Sequence, residues 1–159
     1  RYYLMGQDER QLFMCQLPKS ATTVQEAHES LKNPNVILFE GRGRGRTIRQ
    51  GEWFFINASG IELEKIRQLL KSEKVKIELN RHIGAMLQQR QGNPHVADEA
   101  VLIPNKFLKR GWTPRETELF VRGCVRHRDH KTIVIGQWRK VLKNQEVQEA
   151  GDAITNWID

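Results

Sequence analysis

The residues best equipped for chemistry lie in one short stretch, Phe120 to Ile135, which contains His127, Asp129 and His130 within four positions. Imidazole is the commonest ligand for divalent transition metals, and the one side chain whose ordinary pKa lies near neutrality. Two imidazoles and a carboxylate this close suit a divalent metal. Alternatively, Asp129 orients one imidazole as a general base. A second string, Asn93-Pro94-His95-Val96-Ala97-Asp98-Glu99, offers a third imidazole, with Pro94 stiffening its approach. A fold that lays this segment over the first would make His95, His127 and His130 a three-histidine site, but spacing alone does not decide that. The catalytic set expected on this reading is His127, Asp129, His130 and His95, in a histidine-dependent hydrolase or nuclease that works either with a divalent metal or with a histidine general base alone. The competing reading takes them as polar turn residues.

The His127-Arg128-Asp129-His130 string is similar to the second half of the His-x-His-x-Asp-His motif of the metallo-β-lactamase hydrolase fold. The likeness covers four residues. Val125 stands at the position of the motif's first histidine. After the motif those enzymes continue into a helix, whereas Lys131 to Ile135 reads as a strand.

The same stretch carries the chain's charge. The 159 residues hold 26 Lys and Arg against 19 Asp and Glu, a formal charge of +7. The segment from Lys109 to Trp138 has seven basic and three acidic residues, +4 of that total, while the first 39 residues balance to zero. Such charge favours anionic partners and says nothing of fold. Alternation along a strand puts Arg122 and Arg126 on one face with Phe120, and leaves Leu119, Val121, Val125 and His127 on the other. Arginines beside an aromatic ring can contact phosphates and stack a base. Arg128 and Lys131 would add to that surface, and Trp112 is a further candidate for stacking. A second basic feature, Gly41-Arg-Gly-Arg-Gly-Arg46, presents Arg42, Arg44 and Arg46 on a backbone that glycine lets approach phosphate closely. It is not GxGxxG and no helix follows it, so it lacks the helix N-terminus of a dinucleotide or P-loop site. The leading expectation is therefore a nucleic-acid-binding module, for DNA or RNA, using the basic hairpin and the Arg/Gly loop. The alternatives are the hydrolase or nuclease, and a protein-interaction domain for an acidic partner.

The elements that must position these residues read as α+β, a mainly antiparallel twisted sheet with two or three short helices. Tyr2–Met5 and Gln11–Leu17 are strands around a polar turn. Thr23 and Glu26 open a short helix that Asn33-Pro34 stops. Val36–Phe39 is expected as a brief strand. Trp53–Ile56 is apolar on both parities and reads as a strand buried on both faces. Ser59 and Glu62 cap a helix from Gly60 to about Ser72, with Leu63, Ile66, Leu69 and Leu70 on one side. Val75, Ile77 and Leu79 alternate with charged residues as a half-buried strand. Ala100–Ile103 is a strand closed by Pro104. Leu119–Val125 and Thr132–Ile135 form the strongest strand pair. Gln145–Trp157 has helical spacing weakened by Gly151. The order lacks regular βαβ alternation, which argues against a doubly wound fold.

One domain spans residues 1–159 on this reading, as a fragment or subunit of something larger, since the chain opens on Arg1. The two cysteines, Cys15 and Cys124, form no CxxC pair and read as reduced thiols in strands, which points to a reducing, cytoplasmic compartment. No stretch approaches the roughly 18 apolar residues of a membrane span, so no membrane partner is expected. His28 reads as a surface residue of the first helix and His82 follows a strand with no nearby partner, so both are set aside.

Overall fold

A computed structural model describes residues 1–8, 11–88, 93–108 and 117–146. Strands β1 (Tyr3–Asp8) and β2 (Gln11–Gln16) pair as an antiparallel ribbon. Helices α1 (Val24–Ser30) and α2 (Pro34–Gly41) follow. Then come β3 (Ile48–Gln50), β4 (Trp53–Asn57), α3 (Gly60–Lys71), β5 (Glu78–His82), the one-turn helix α4 (Ile83–Met86), β6 (Val96–Pro104), β7 (Thr117–Arg126) and β8 (Ile133–Lys143). The last six strands form one antiparallel sheet in the order β3-β4-β8-β7-β6-β5. This is the expected α+β class, with four helices among the described residues. None is long and apolar enough to cross a membrane.

The helix starts follow from capping chemistry. The Thr23 hydroxyl accepts from the Glu26 amide, and Ser59 and Glu62 form a reciprocal capping box. Asn33-Pro34 does more than stop α1. The Asn33 side chain accepts from the Asn35 amide, and Pro34 sits in the first turn of α2, where its missing N–H has no cost. The expected strand at Val36–Phe39 is therefore a helix. Its run of apolar residues is too short for periodicity to separate the two. The strand expected over Val75–Leu79 is displaced as well. It occupies Glu78–His82, and an exposed Leu79 faces outward. The segment 147–159, where a tail helix is expected, lies outside the described residues, as does Trp112.

The sheet is covered on both faces. One face packs Trp53, Phe55, Ile83, Ala97, Ala100, Leu119, Val121, Val125 and Ile135 into a single cluster. The other takes α3, whose Ile66 and Leu69 lie against Val101, Ile103, Phe120 and Trp138. Full burial of each such aliphatic side chain contributes about 1.5–3 kcal/mol. Two-sided burial explains the unbroken apolar run at Trp53–Ile56. It also requires curvature. Trp53 and Phe55 on β4 share one cluster with Ala97 and Ile83 near the opposite edge, and the curled sheet brings the β3–β4 turn to the β7–β8 turn. Gln50 Nε2–H donates to the Lys131 carbonyl (2.7 Å) across that junction.

A bulge sets the phase of the strands that lead to this end. The β6–β7 register shifts between Ala97 and Glu99, and the β7–β8 register shifts between Val121 and Gly123. Gly123 has φ +90°, and a Cβ there would lie 2.7 Å from the Cβ of Asp98. Asp98 fills the gap in the ladder: its Oδ2 accepts from the Cys124 amide (2.7 Å) and its Oδ1 pairs with Arg126. Backbone amide and arginine hold the Asp98 carboxyl below its ordinary range.

Candidate metal centre

The register of β6 and β7 decides the site. Val96 pairs with Arg126 and Ala97 with Val125. One step further along the same ladder, His95 stands opposite His127. Ala97 and Val125 face the Trp53 cluster, so His95 and His127, two residues before and after them, lie on that same side. His130 follows in the β7–β8 turn. The three imidazoles stack, with centroids 4.1 Å apart for His95–His127, 4.5 Å for His127–His130 and 5.6 Å for His95–His130. One ring nitrogen from each falls within 4.8 Å of the others. A tetrahedral zinc with Zn–N bonds of 2.0–2.1 Å needs nitrogens about 3.3 Å apart, so a modest convergence of the rings closes the set.

His95 is the unusual member. Its residue is 1% exposed, and neither ring nitrogen makes a hydrogen bond. Burial first, then the neighbouring His127 and His130, push its pKa down to about 3. It is neutral near pH 7, the protonation state a ligand needs. Glu52 Oε1 lies 3.9 Å from His95 Nδ1. With the ring neutral this is a carboxylate beside an imidazole rather than an ion pair. The opposite nitrogen faces Gly51. A Cβ on Gly51 would lie 3.2 Å from Nε2 of His95 and 3.2 Å from Nε2 of His130, so both nitrogens border the small volume that glycine leaves open.

His127 is held at both nitrogens. The Asp129 amide donates to Nδ1 (3.1 Å), which puts the ring proton on Nε2, and Nε2–H donates to the Asn93 carbonyl (2.9 Å). The Asn93 side chain in turn donates to Asp129 Oδ2 (2.8 Å). A ligating histidine commonly donates its outer N–H to a carbonyl or carboxylate. Nε2–H to Asn93 is such a bond, and a metal at Nδ1 would replace the longer bond from Asp129.

All four residues of the expected catalytic set thus meet at one end of the sheet, with Asp129 joined to the group through Asn93. The expected arginine face is arranged differently. Phe120 is fully buried under α3 and offers no ring for stacking. Arg122 donates from Nε to Glu99 (2.6 Å), and its guanidinium lies 4.8 Å from the Trp138 ring centre. Arg126 pairs with Asp98 and donates to Asn80 Oδ1 (3.0 Å). Both arginines already have carboxylate partners within the sheet. Arg128 and Lys131 are exposed in the turn. Arg42, Arg44 and Arg46 are exposed in the α2–β3 connection, away from the hairpin in sequence. Its backbone is anchored: Asn57 Nδ2 donates to the Arg44 carbonyl (3.4 Å) and Arg139 to the Arg46 carbonyl (2.9 Å). His28 Nδ1 faces Arg49 (3.3 Å) and His82 ends β5, both outside the cluster. Cys15 and Cys124 are free thiols, on β2 and β7.

Sequence reasoning missed Gly51, Glu52 and the role of Asn93. A Gln-Gly-Glu string ahead of an apolar strand signals a turn, but nothing local says where the turn lands.

Compared with protein-family models, with curated proteins and with solved structures, the chain gives no match. A strand, β8, follows the His127–His130 string where the metallo-β-lactamase motif would lead into a helix. The functional reading accordingly rests on the chain's own residues.

Proposed function

We propose that this chain is a metal-dependent hydrolase in which His95, His127 and His130 hold one divalent transition metal, of the zinc type. The observation that carries the reading is His95: a buried imidazole, without a hydrogen bond at either nitrogen, stacked against two more imidazoles. Two orphaned ring nitrogens are costly in a fold unless something binds there. Three neutral nitrogen ligands suit zinc and its neighbours better than calcium or magnesium, which take oxygen. A three-histidine set leaves a fourth coordination position, the pattern of catalytic rather than closed structural sites. His127 and His130 are only half-buried, which favours an opening towards solvent on their side. A metal held there would act as a Lewis acid and lower the pKa of a bound water to about 7.

The test is metal content together with turnover. Purified chain, loaded with zinc and desalted, is expected to retain one metal per chain by mass spectrometry. It is expected to hydrolyse bis(p-nitrophenyl) phosphate or p-nitrophenyl acetate in a chelator-sensitive way, and His130→Ala to lose both metal and turnover. A chain that retains no metal would sink the proposal. Zinc at about a hundred times its Kd would also add about 2.7 kcal/mol of stability, a rise of about 5–10 °C in Tm for a chain of this size.

A second reading, nucleic-acid binding, is favoured by one observation: Arg42, Arg44 and Arg46 are exposed on an anchored backbone, and Arg128 and Lys131 are exposed beside the metal centre. It is compatible with the first if the substrate is a phosphodiester.

A further inference from the structure

We infer that Glu52 is a positioning residue of this centre: its carboxylate takes the Nδ1–H of His95, so that His95 meets the metal through Nε2. The inference rests on the metal reading above and adds a residue that is not itself a ligand.

The geometry assigns the two nitrogens of His95 to different neighbours. Nε2 borders the volume beside Gly51, together with Nε2 of His130. Nδ1 faces Glu52 Oε1 at 3.9 Å. That is about 1 Å too long for a hydrogen bond, a gap that a change of side-chain rotamer of Glu52, 29% exposed at its side chain, is able to close. A metal at Nε2 forces the ring proton onto Nδ1 and makes it a stronger donor. A carboxylate then fixes the ring's orientation and raises the basicity of Nε2. His127 already has the equivalent arrangement, with Nε2–H donated to the Asn93 carbonyl.

The backbone under Glu52 is held for this task. Gln50 pairs with Trp53 across the β3–β4 turn, which leaves Gly51 and Glu52 as its two central residues. Gly51 has φ +56°, a conformation that glycine adopts at no steric cost, and its missing side chain opens the space beside the imidazoles. The Gly51 carbonyl accepts from Arg49 Nε (2.9 Å), the Glu52 carbonyl accepts from the Asn144 amide (2.8 Å), and Gln50 reaches Lys131 (2.7 Å). Three consecutive residues are thus pinned from three directions. Glu52 lies outside the set of mutually close donor atoms, which among the described residues comprises the three histidines alone. Its carboxylate is placed behind His95 rather than among the ligands.

The experiment titrates the metal-free full chain with Co(II), read by its visible absorption, and then with Zn(II) by competition, for wild type and Glu52→Gln. Glutamine keeps the shape and removes the charge. The expected result is a 10–100-fold weaker metal affinity in the variant, a displaced Co(II) absorption band, and a metal-free Tm within about 2 °C of wild type. Equal affinity with an unchanged band would overturn the inference. Long-range ¹⁵N correlation spectra of zinc-loaded wild type give a check that needs no variant. They are expected to show His95 protonated at Nδ1 and metal-bound at Nε2, and ligation through Nδ1 would overturn it. Failure of wild type and variant alike to bind either metal would instead remove the metal reading on which the inference stands.

Discussion

A buried imidazole with neither nitrogen bonded costs a fold about 1–3 kcal/mol for each unsatisfied group, so His95 works against the stability of the metal-free chain. Replacing it with an apolar side chain of similar size removes that cost. His95→Leu is therefore expected to leave the metal-free protein as stable as wild type, or up to about 2 kcal/mol more stable in urea titrations, while abolishing metal binding. A purely structural His95 would give the opposite result, a clear loss of stability. The pH dependence sharpens the test. Folding lowers the His95 pKa from 6.5 to about 3, so between those values the unfolded chain binds the extra proton. Its contribution to stability is fully present above about pH 6.5 and is lost as pH falls towards 3. Within that window the slope approaches about 1.4 kcal/mol per pH unit. Chelator-treated wild type should show this loss, and His95→Leu should lack it.

At the scale of elements, the bulge decides which face His95 occupies. Along β6, Val101 and Ile103 face α3, while Ala100 and Leu102 face the Trp53 cluster. Strict alternation from those residues would send His95 to the α3 face. The register shift between Ala97 and Glu99 moves Ala97, and His95 with it, to the other side. Gly123→Ala challenges that bulge directly, through its positive φ and the Asp98 contact. It is expected to cost about 2–3 kcal/mol and to weaken zinc binding at least tenfold. Gly136→Ala in β8, where a new Cβ meets nothing within 4 Å, should stay within about 0.5 kcal/mol of wild type. The pair is read by urea unfolding and zinc competition. The bulge also explains what was legible beforehand. The N-caps at Thr23 and Ser59, the doubly buried Trp53–Ile56 strand and the β7–β8 hairpin are local patterns and they read correctly, although Glu26 completes no capping box with Thr23 and accepts from Thr22 instead. His127, Asp129 and His130 were visible because they are neighbours in sequence. The approach of His95 was visible only as a conditional, because period-two reasoning loses phase at an unannounced bulge. Glu52 and Gly51 were invisible, because the curl of the sheet that delivers them leaves no local mark. Val36–Phe39 misread for a simpler reason: four apolar residues fit a strand or a helix equally well, and Asn33-Pro34 starts one as readily as it stops one.

At the scale of the whole molecule, the +7 charge is distributed less openly than its total suggests. Arg122 and Arg126 are matched by Glu99 and Asp98, so among the described residues the exposed basic regions lie elsewhere: the 42–46 loop, the β7–β8 turn, and Lys71, Lys74 and Lys76 at the end of α3 and beyond it. If the second reading holds, affinity for a single-stranded oligonucleotide should fall steeply with salt. Replacing Arg42, Arg44 and Arg46 by Gln should then reduce the log–log slope by about two units, at roughly 0.7 for each phosphate no longer neutralised. An unchanged slope in fluorescence anisotropy would exclude the loop from the interface. The curl of the sheet has a separate consequence, in time rather than in space. His95 and His127 are brought together by β6–β7 pairing, whereas Gly51 and Glu52, from a distant part of the chain, join them when the two turns meet at the Gln50–Lys131 bond. Such non-local closures are slow to form, because loop entropy must be overcome before any contact rewards it. Early in folding, a metal would find only His127 and His130, three residues apart on a loose turn. His95 arrives with β6–β7 pairing, and the β3–β4 turn closes over the three imidazoles only when the sheet has finished bending, so enclosure of the ion would mark the end of folding rather than guide its beginning.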